Sequence, residues 1–241
     1  FINLKGKKIY YEYRHENNDY LVLLLHGFGS DMHEKGNFDS LCLKLLESNI
    51  DTIRFDYLGH GKSSGHTEDL KMAFAMEEAL TLLKKYPHKK IGIVGASYGG
   101  GLAVMLTTCV KVDKLVLWSP LIDARNNVIN PQNHFCKDFL GAEVLKQIKE
   151  KGYATFGTTD VRFNMNVFDD ALRYDAKKVL RNYKNPVKIF HGTYDLVVPY
   201  KQSVELMSKN VEVKIIEKAT HCFYDEFSKY VIDETVKFLK V

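Results

Sequence analysis

Short strand-like runs recur along this chain, at residues 20–25, 51–56, 90–94, 114–118, 187–190 and 211–216, after a β-rich opening at 8–13, and the run at 20–25 is apolar without a break. Segments with helical spacing lie between them. Residues 38–47 put Leu41, Leu45 and Leu46 on one face, and 68–86 do the same with Met72, Met76, Ala79, Leu80 and Leu83 before Pro87 stops the turn. Residues 98–110, 201–208 and 225–239 read as further helices. An unbroken apolar strand must be covered on both faces. Strands that alternate with helices therefore predict an α/β protein, a mostly parallel sheet with helices on either side. Sheets of this kind collect their functional loops at the carboxyl ends of the strands.

The alternation lapses between residues 120 and 185, where the sequence is mixed, aromatic and polar, with no clear strand. That stretch is too long for a plain loop. The expectation is one core, residues 1–119 and 186–241, carrying an inserted cap or lid at 120–185 over the functional edge. Its aromatic residues, Phe135, Phe139, Tyr153, Phe156, Phe163 and Phe168, either line an acyl or aryl pocket or form the cap's own core.

Charge and composition remove several classes of function. The formal net charge of +4 is small for 241 residues, and the lysines are scattered, so no nucleic-acid partner is expected. No apolar stretch reaches the roughly 18 residues of a membrane span. The opening FINLKGKKIYYEY lacks a basic-then-apolar signal pattern. The cysteines, Cys42, Cys109, Cys136 and Cys222, form no CxxC pair, which gives a structural metal site no support and fits reduced thiols in a cytoplasmic protein.

The chemistry centres on Gly95-Ala96-Ser97-Tyr98-Gly99, a glycine-flanked serine between a strand and a helix. This is the G-x-S-x-G pattern that holds a nucleophilic hydroxyl clear of a sheet on a strained turn, at a helix N-terminus that favours negative charge. A serine needs a base, and the base needs an orienting acid. Asp195 follows the run at 187–190, and His221 follows the run at 211–216, so acid and histidine come after the serine in the order this architecture uses. The acyl oxyanion needs preset donors. The backbone N–H groups of Phe28, in His26-Gly27-Phe28-Gly29, and of Tyr98 are the candidates. Asp123, just past the run at 114–118, is the rival acid. His26, His60 and His191 read as loop-shaping residues, and Cys222 as a buried, inert thiol. Gly59-His60-Gly61-Lys62-Ser63 is no phosphate loop, because that pattern requires glycine where Asp56 stands.

These motifs, with Arg54-Phe55-Asp56-Tyr57-Leu58-Gly59-His60-Gly61-Lys62-Ser63, His191-Gly192-Thr193-Tyr194-Asp195 and His221-Cys222-Phe223, resemble the α/β-hydrolase superfamily. Within it the chain is most similar to small bacterial feruloyl/cinnamoyl esterases and related ester hydrolases. Many of these carry His where this chain has Ala96, a departure that leaves the triad pattern intact. The resemblance implies the α/β-hydrolase fold, a small-molecule ester substrate, and no metal or organic cofactor. It implies serine carboxylic ester hydrolysis through Ser97, His221 and Asp195, on feruloyl/cinnamoyl or short-chain acyl esters. An acyl thioesterase or acyltransferase would share the triad. A non-catalytic binding member of the fold would keep only the pocket.

Overall fold

A computed structural model describes residues 1–128, 142–155 and 159–240 of the chain. Phe135, Cys136, Phe139 and Phe156 lie outside the described residues, as does the side chain of Phe168.

The apolar runs form the sheet. Strands β1 (Ile2–Leu4) and β2 (Lys7–Ile9) make a small antiparallel pair of their own. The main sheet takes β3 (Tyr11–Arg14), β4 (Tyr20–Leu25), β5 (Asp51–Phe55), β6 (Lys90–Ala96), β7 (Lys114–Trp118), β10 (Val187–Gly192) and β11 (Val211–Ile216). Their spatial order is β11-β10-β7-β6-β4-β5-β3. All pairs are parallel except the edge strand β3, which runs antiparallel to β5.

Period-two alternation between two covered faces explains the apolar runs of the central strands β4 and β7. In β4, Leu21, Leu23 and Leu25 join one core while Val22 and Leu24 join the other. In β7 the same split sends Leu115 and Leu117 one way, Val116 and Trp118 the other. Helices α1 (Asn37–Leu46), α2 (Met72–Lys85) and α3 (Tyr98–Leu106) cover the sheet with the last helix, Asp225–Lys240. The helices α2 and α3 pack on the Leu21 side, whereas α1 and Asp225–Lys240 pack on the Val22 side. Three helices are shorter than their sequence pattern suggests, among them α3, which ends at Leu106 rather than at 110. The segment beginning at Lys201 stays helical only to Val204, and a single tight turn at Thr67–Asp69 precedes α2.

Between β7 and β10 the described residues form short helices and a two-residue pair, β8 (Ala154–Thr155) with β9 (Arg162–Phe163), where the sequence shows no clear strand. This pair reaches the carboxyl edge of the main sheet. Arg162 N–H donates to Thr67 Oγ1 at 2.6 Å, and the Thr67 hydroxyl donates back to Arg162 O at 2.7 Å. Val161 packs against Gly29, where an added Cβ would lie 2.9 Å from its methyl. Phe163 is buried. Among the described residues, no helix is long and apolar enough to cross a membrane.

Candidate active site

The strand β6 runs straight into α3 through Ser97, which adopts φ 51°, ψ −116°. That backbone is unfavourable for a residue with a side chain, and its neighbours hold it there. Ser97 N–H donates to Trp118 O at 2.9 Å, while Ser97 O accepts from the N–H groups of Gly100 and Leu121, each at 2.9 Å. The flanking glycines are steric requirements. A Cβ on Gly95 would lie 2.3 Å from Gly99 O, and one on Gly99 would lie 2.1 Å from Leu25 O.

The loops after β10 and β11 meet this turn. Ser97 Oγ lies 2.9 Å from His221 Nε2, and His221 Nδ1 lies 2.7 Å from Asp195 Oδ2. The three residues expected from sequence thus form one hydrogen-bonded chain across three strand ends. The two loops are stitched together by Tyr194 N–H on Ala219 O at 2.9 Å and Lys218 N–H on Thr193 Oγ1 at 2.8 Å. A Cβ on Gly192 would sit 2.1 Å from Ala219 O, so that glycine lets the loops touch.

Asp195 is fully occupied. Its Oδ1 accepts from the N–H groups of Val197 and Val198, both at 2.8 Å. Its Oδ2 receives His221 and also His191 Nε2, at 3.0 Å. Burial pushes this carboxyl up, but the bonds from His191 and His221 outweigh burial and hold it well below the usual carboxylate range. An ionised Asp195 accepts from the Nδ1–H of His221 and leaves Nε2 facing the serine hydroxyl. The rival, Asp123, is engaged elsewhere, with Lys177 at 3.1 Å and with Asn126. His191, which reads in the sequence as a loop residue, was missed as a partner of the acid.

The loop after β4 lies against Ser97. A Cβ on Gly27 would be 3.3 Å from Ser97 Cβ. Gly27 N–H donates to Glu34 Oε2 at 2.8 Å and Gly29 N–H to His60 Nε2 at 3.1 Å, fixing the turn on both sides of Phe28. His60 is buried, which lowers its pKa to about 4, and so presents a neutral ring to Gly29. His26, buried and neutral for the same reason, bonds Gly27 O at 2.8 Å. Tyr98 opens α3, so its N–H is one of the first-turn donors without an acceptor inside the helix. A cavity of about 20 Å³ behind the serine, room for about one water, is lined by Glu34, Asn37, Ser97, Trp118, His221 and Cys222 among others. Among the described residues, no group of three or more His, Cys, Asp or Glu is arranged to hold a metal ion.

The model of the alpha/beta hydrolase family matches residues 22–234, nearly the whole chain. This chain belongs to the alpha/beta hydrolase family. A Mycoplasma pneumoniae protein that carries the name esterase/lipase 2 is 26% identical over 245 residues, covering 90% of this chain and 88% of that protein. The human palmitoyl-protein thioesterase ABHD10, mitochondrial, is 22% identical over 199 residues, and the match spans 76% of this chain but only 62% of that protein. Among solved structures, Est1E from Butyrivibrio proteoclasticus with ferulic acid bound superposes with a TM-score of 0.79 at 22% identity, over 98% of this chain and 95% of the other. The alpha/beta hydrolase fold is thus shared along the length of the chain, and the esterase/lipase relatives support a hydrolase.

Proposed function

We propose that this alpha/beta hydrolase is a serine carboxylic ester hydrolase that works through an acyl-enzyme. The observation that carries the reading is the unbroken path from Ser97 Oγ through His221 to Asp195, with links of 2.9 and 2.7 Å. Ser97 Oγ attacks the ester carbonyl carbon as His221 Nε2 takes its proton. Asp195 fixes the tautomer of His221 and stabilises the imidazolium. The N–H groups of Phe28 and Tyr98 receive the oxyanion, a role in which one donor typically contributes about 2.7–4 kcal/mol to lowering the barrier. The tetrahedral intermediate collapses, and the alcohol leaves with the proton from His221. Water then attacks the acyl-enzyme, giving its proton to the same histidine, and the acid departs as Ser97 is reprotonated.

In this reading residues 1–119 and 186–241 are the core and 120–185 the cap. The bonds between Arg162 and Thr67 and the packing of Val161 on Gly29 support a cap seated over the oxyanion loop. The substrate is a small ester, feruloyl/cinnamoyl or short-chain acyl, and the likeness to Est1E supports the aromatic choice at the level of fold. The reading assigns the reaction to the cytoplasm, a reducing setting for the free thiols of Cys42, Cys109 and Cys222.

Hydrolysis of 4-nitrophenyl butanoate by wild type and Ser97→Ala tests the mechanism. Turnover that disappears in the variant is the expected result; equal rates would remove Ser97 as the nucleophile. The similarity to ABHD10 favours one second reading, acyl-thioester hydrolysis by the same residues. Rates on methyl ferulate, an aliphatic ester and an acyl-thioester separate the two.

A further inference from the structure

The turn after the oxyanion loop contains two consecutive non-glycine residues in left-handed conformation, Glu34 at φ 44° and Lys35 at φ 58°. Each costs backbone energy. The result is a sharp division of side chains: Glu34 points inward and is buried, whereas Lys35 is exposed. Burying a carboxylate away from water is costly without a cationic partner. Among the described residues, no Lys or Arg nitrogen lies within 4 Å of the Glu34 carboxylate.

What Glu34 does touch is the reaction centre. Its Oε2 accepts from Gly27 N–H at 2.8 Å. A Cβ on Gly27 would lie 3.3 Å from Ser97 Cβ and 3.7 Å from Glu34 Oε2, so serine and glutamate flank one glycine. Glu34 also lines the small cavity shared with Ser97 and His221. The titratable groups that face it are Lys35 on its own turn, Tyr57 from the loop after β5, and His221 and Cys222 from the loop after β11. Burial pushes the Glu34 carboxyl above its ordinary value, while the Gly27 N–H, Ser30, Lys35 and His221 pull it back.

We propose that Glu34 is a positioning residue of this site: its carboxylate holds the Gly27–Phe28 turn beside Ser97 and offsets the positive charge that forms on His221. The inference rests on the serine-hydrolase reading for its catalytic consequence, but not for its electrostatic one. Proton transfer from Ser97 turns the neutral imidazole into an imidazolium. A carboxylate sharing its cavity stabilises that cation, and Asp195 stabilises it from the opposite ring nitrogen. A merely structural Glu34 would be a hydrogen-bond acceptor for Gly27, which an amide oxygen serves as well.

Glu34→Gln separates the two roles, because it keeps the acceptor and deletes the charge. Titration of the His221 ring, followed by NMR in wild type and variant, needs no substrate. The expected result is a shift to lower pH of about one unit in Glu34→Gln. The matching kinetic result is a kcat about tenfold lower, little change in KM, and an acid limb of kcat/KM displaced in the same direction. Glu34→Asp keeps the charge on a shorter arm, so its His221 titration stays close to wild type, and it serves as the comparison if the amide variant does not fold. An unchanged His221 titration in Glu34→Gln, or a shift of the same size in Glu34→Asp, would overturn the proposal. Loss of the ester reaction in Ser97→Ala is a separate result, so failure of the mechanism and failure of the Glu34 role are told apart.

Discussion

His191 Nε2 lies 3.0 Å from Asp195 Oδ2, the same oxygen that His221 approaches at 2.7 Å. His191 is fully buried and also contacts Val198 O at 2.9 Å through Nε2 and Ser203 Oγ at 2.7 Å through Nδ1. Nε2 faces two acceptors, Asp195 Oδ2 and Val198 O, so it carries a proton shared between them. A hydrogen bond to a charged group is worth about 1.5–3 kcal/mol. His191→Ala should therefore lower kcat by about 10- to 100-fold, with KM nearly constant, because only the aim of the Asp195–His221 pair is disturbed. Steady-state kinetics, with circular dichroism to check the fold, measures this. An unchanged kcat would mean that Val197 and Val198 alone suffice to hold the acid.

The tight turn around Ser97 makes a stability prediction. Gly99→Ala would place a methyl 2.1 Å from Leu25 O, a backbone atom in the centre of the sheet. Gly152→Ala meets nothing within 4 Å and costs only its left-handed backbone, φ +82°, about 1–2 kcal/mol. In urea unfolding the Gly99 variant should be far less stable than the Gly152 variant, or fail to fold. Similar midpoints for the two would mean that the strand-to-helix junction has room to relax.

Much of this architecture was legible in the sequence because the signals were local. Unbroken runs such as Leu21–Leu25 announce burial on both faces, and the glycines around Ser97 announce a crowded turn. The order of Ser97, Asp195 and His221 could be read because each sits at a strand end. What escaped was set by tertiary contact. Glu34 lies in a polar stretch, residues 30–36, without periodicity, and only the left-handed turn sends its side chain inward. His191 was visible as part of a motif, yet its bond to Asp195 depends on the loop folding back over four residues. The pair β8–β9 is two residues per strand, too short for period-two alternation to register. The helix from Lys201 ends at Val204, and Ser208, inside the range its spacing suggests, pairs instead with Val211.

Glu78 links stability to pH. The side chain is fully buried, its Oε1 accepts from Leu58 N–H at 2.9 Å, and burial pushes its carboxyl up to about 8. Glutamate in an unfolded chain ionises near 4.3. Between that value and about 8 the folded protein keeps a proton that the unfolded chain has lost. Glu78 therefore contributes a stability that falls as pH rises through this window, by at most about 1.4 kcal/mol per pH unit. Glu78→Gln stays neutral, so it should gain stability relative to wild type on going from pH 5 to pH 8. Urea midpoints at the two pH values test it; a constant difference would show that Glu78 is ionised in the fold.

Cys222 is half-buried rather than buried as its sequence context suggests. It stands beside His221, and Lys35 Nζ lies 2.8 Å from its sulfur. Thiols beside an ammonium are in general the more reactive towards electrophiles. Cys42 offers an internal contrast, since it is buried and burial pushes its thiol up. In the native protein iodoacetamide should label Cys222 well before Cys42, and Lys35→Met should slow labelling at Cys222 about threefold to tenfold while leaving exposed Cys109 unchanged. Peptide mass spectrometry of a labelling time course reads all three sites at once. Equal rates at Cys222 in wild type and Lys35→Met would show that the ammonium does not activate the thiol. Labelling at Cys222 should also slow ester turnover, because the added group sits one residue from His221 on the wall of the cavity that Ser97 shares.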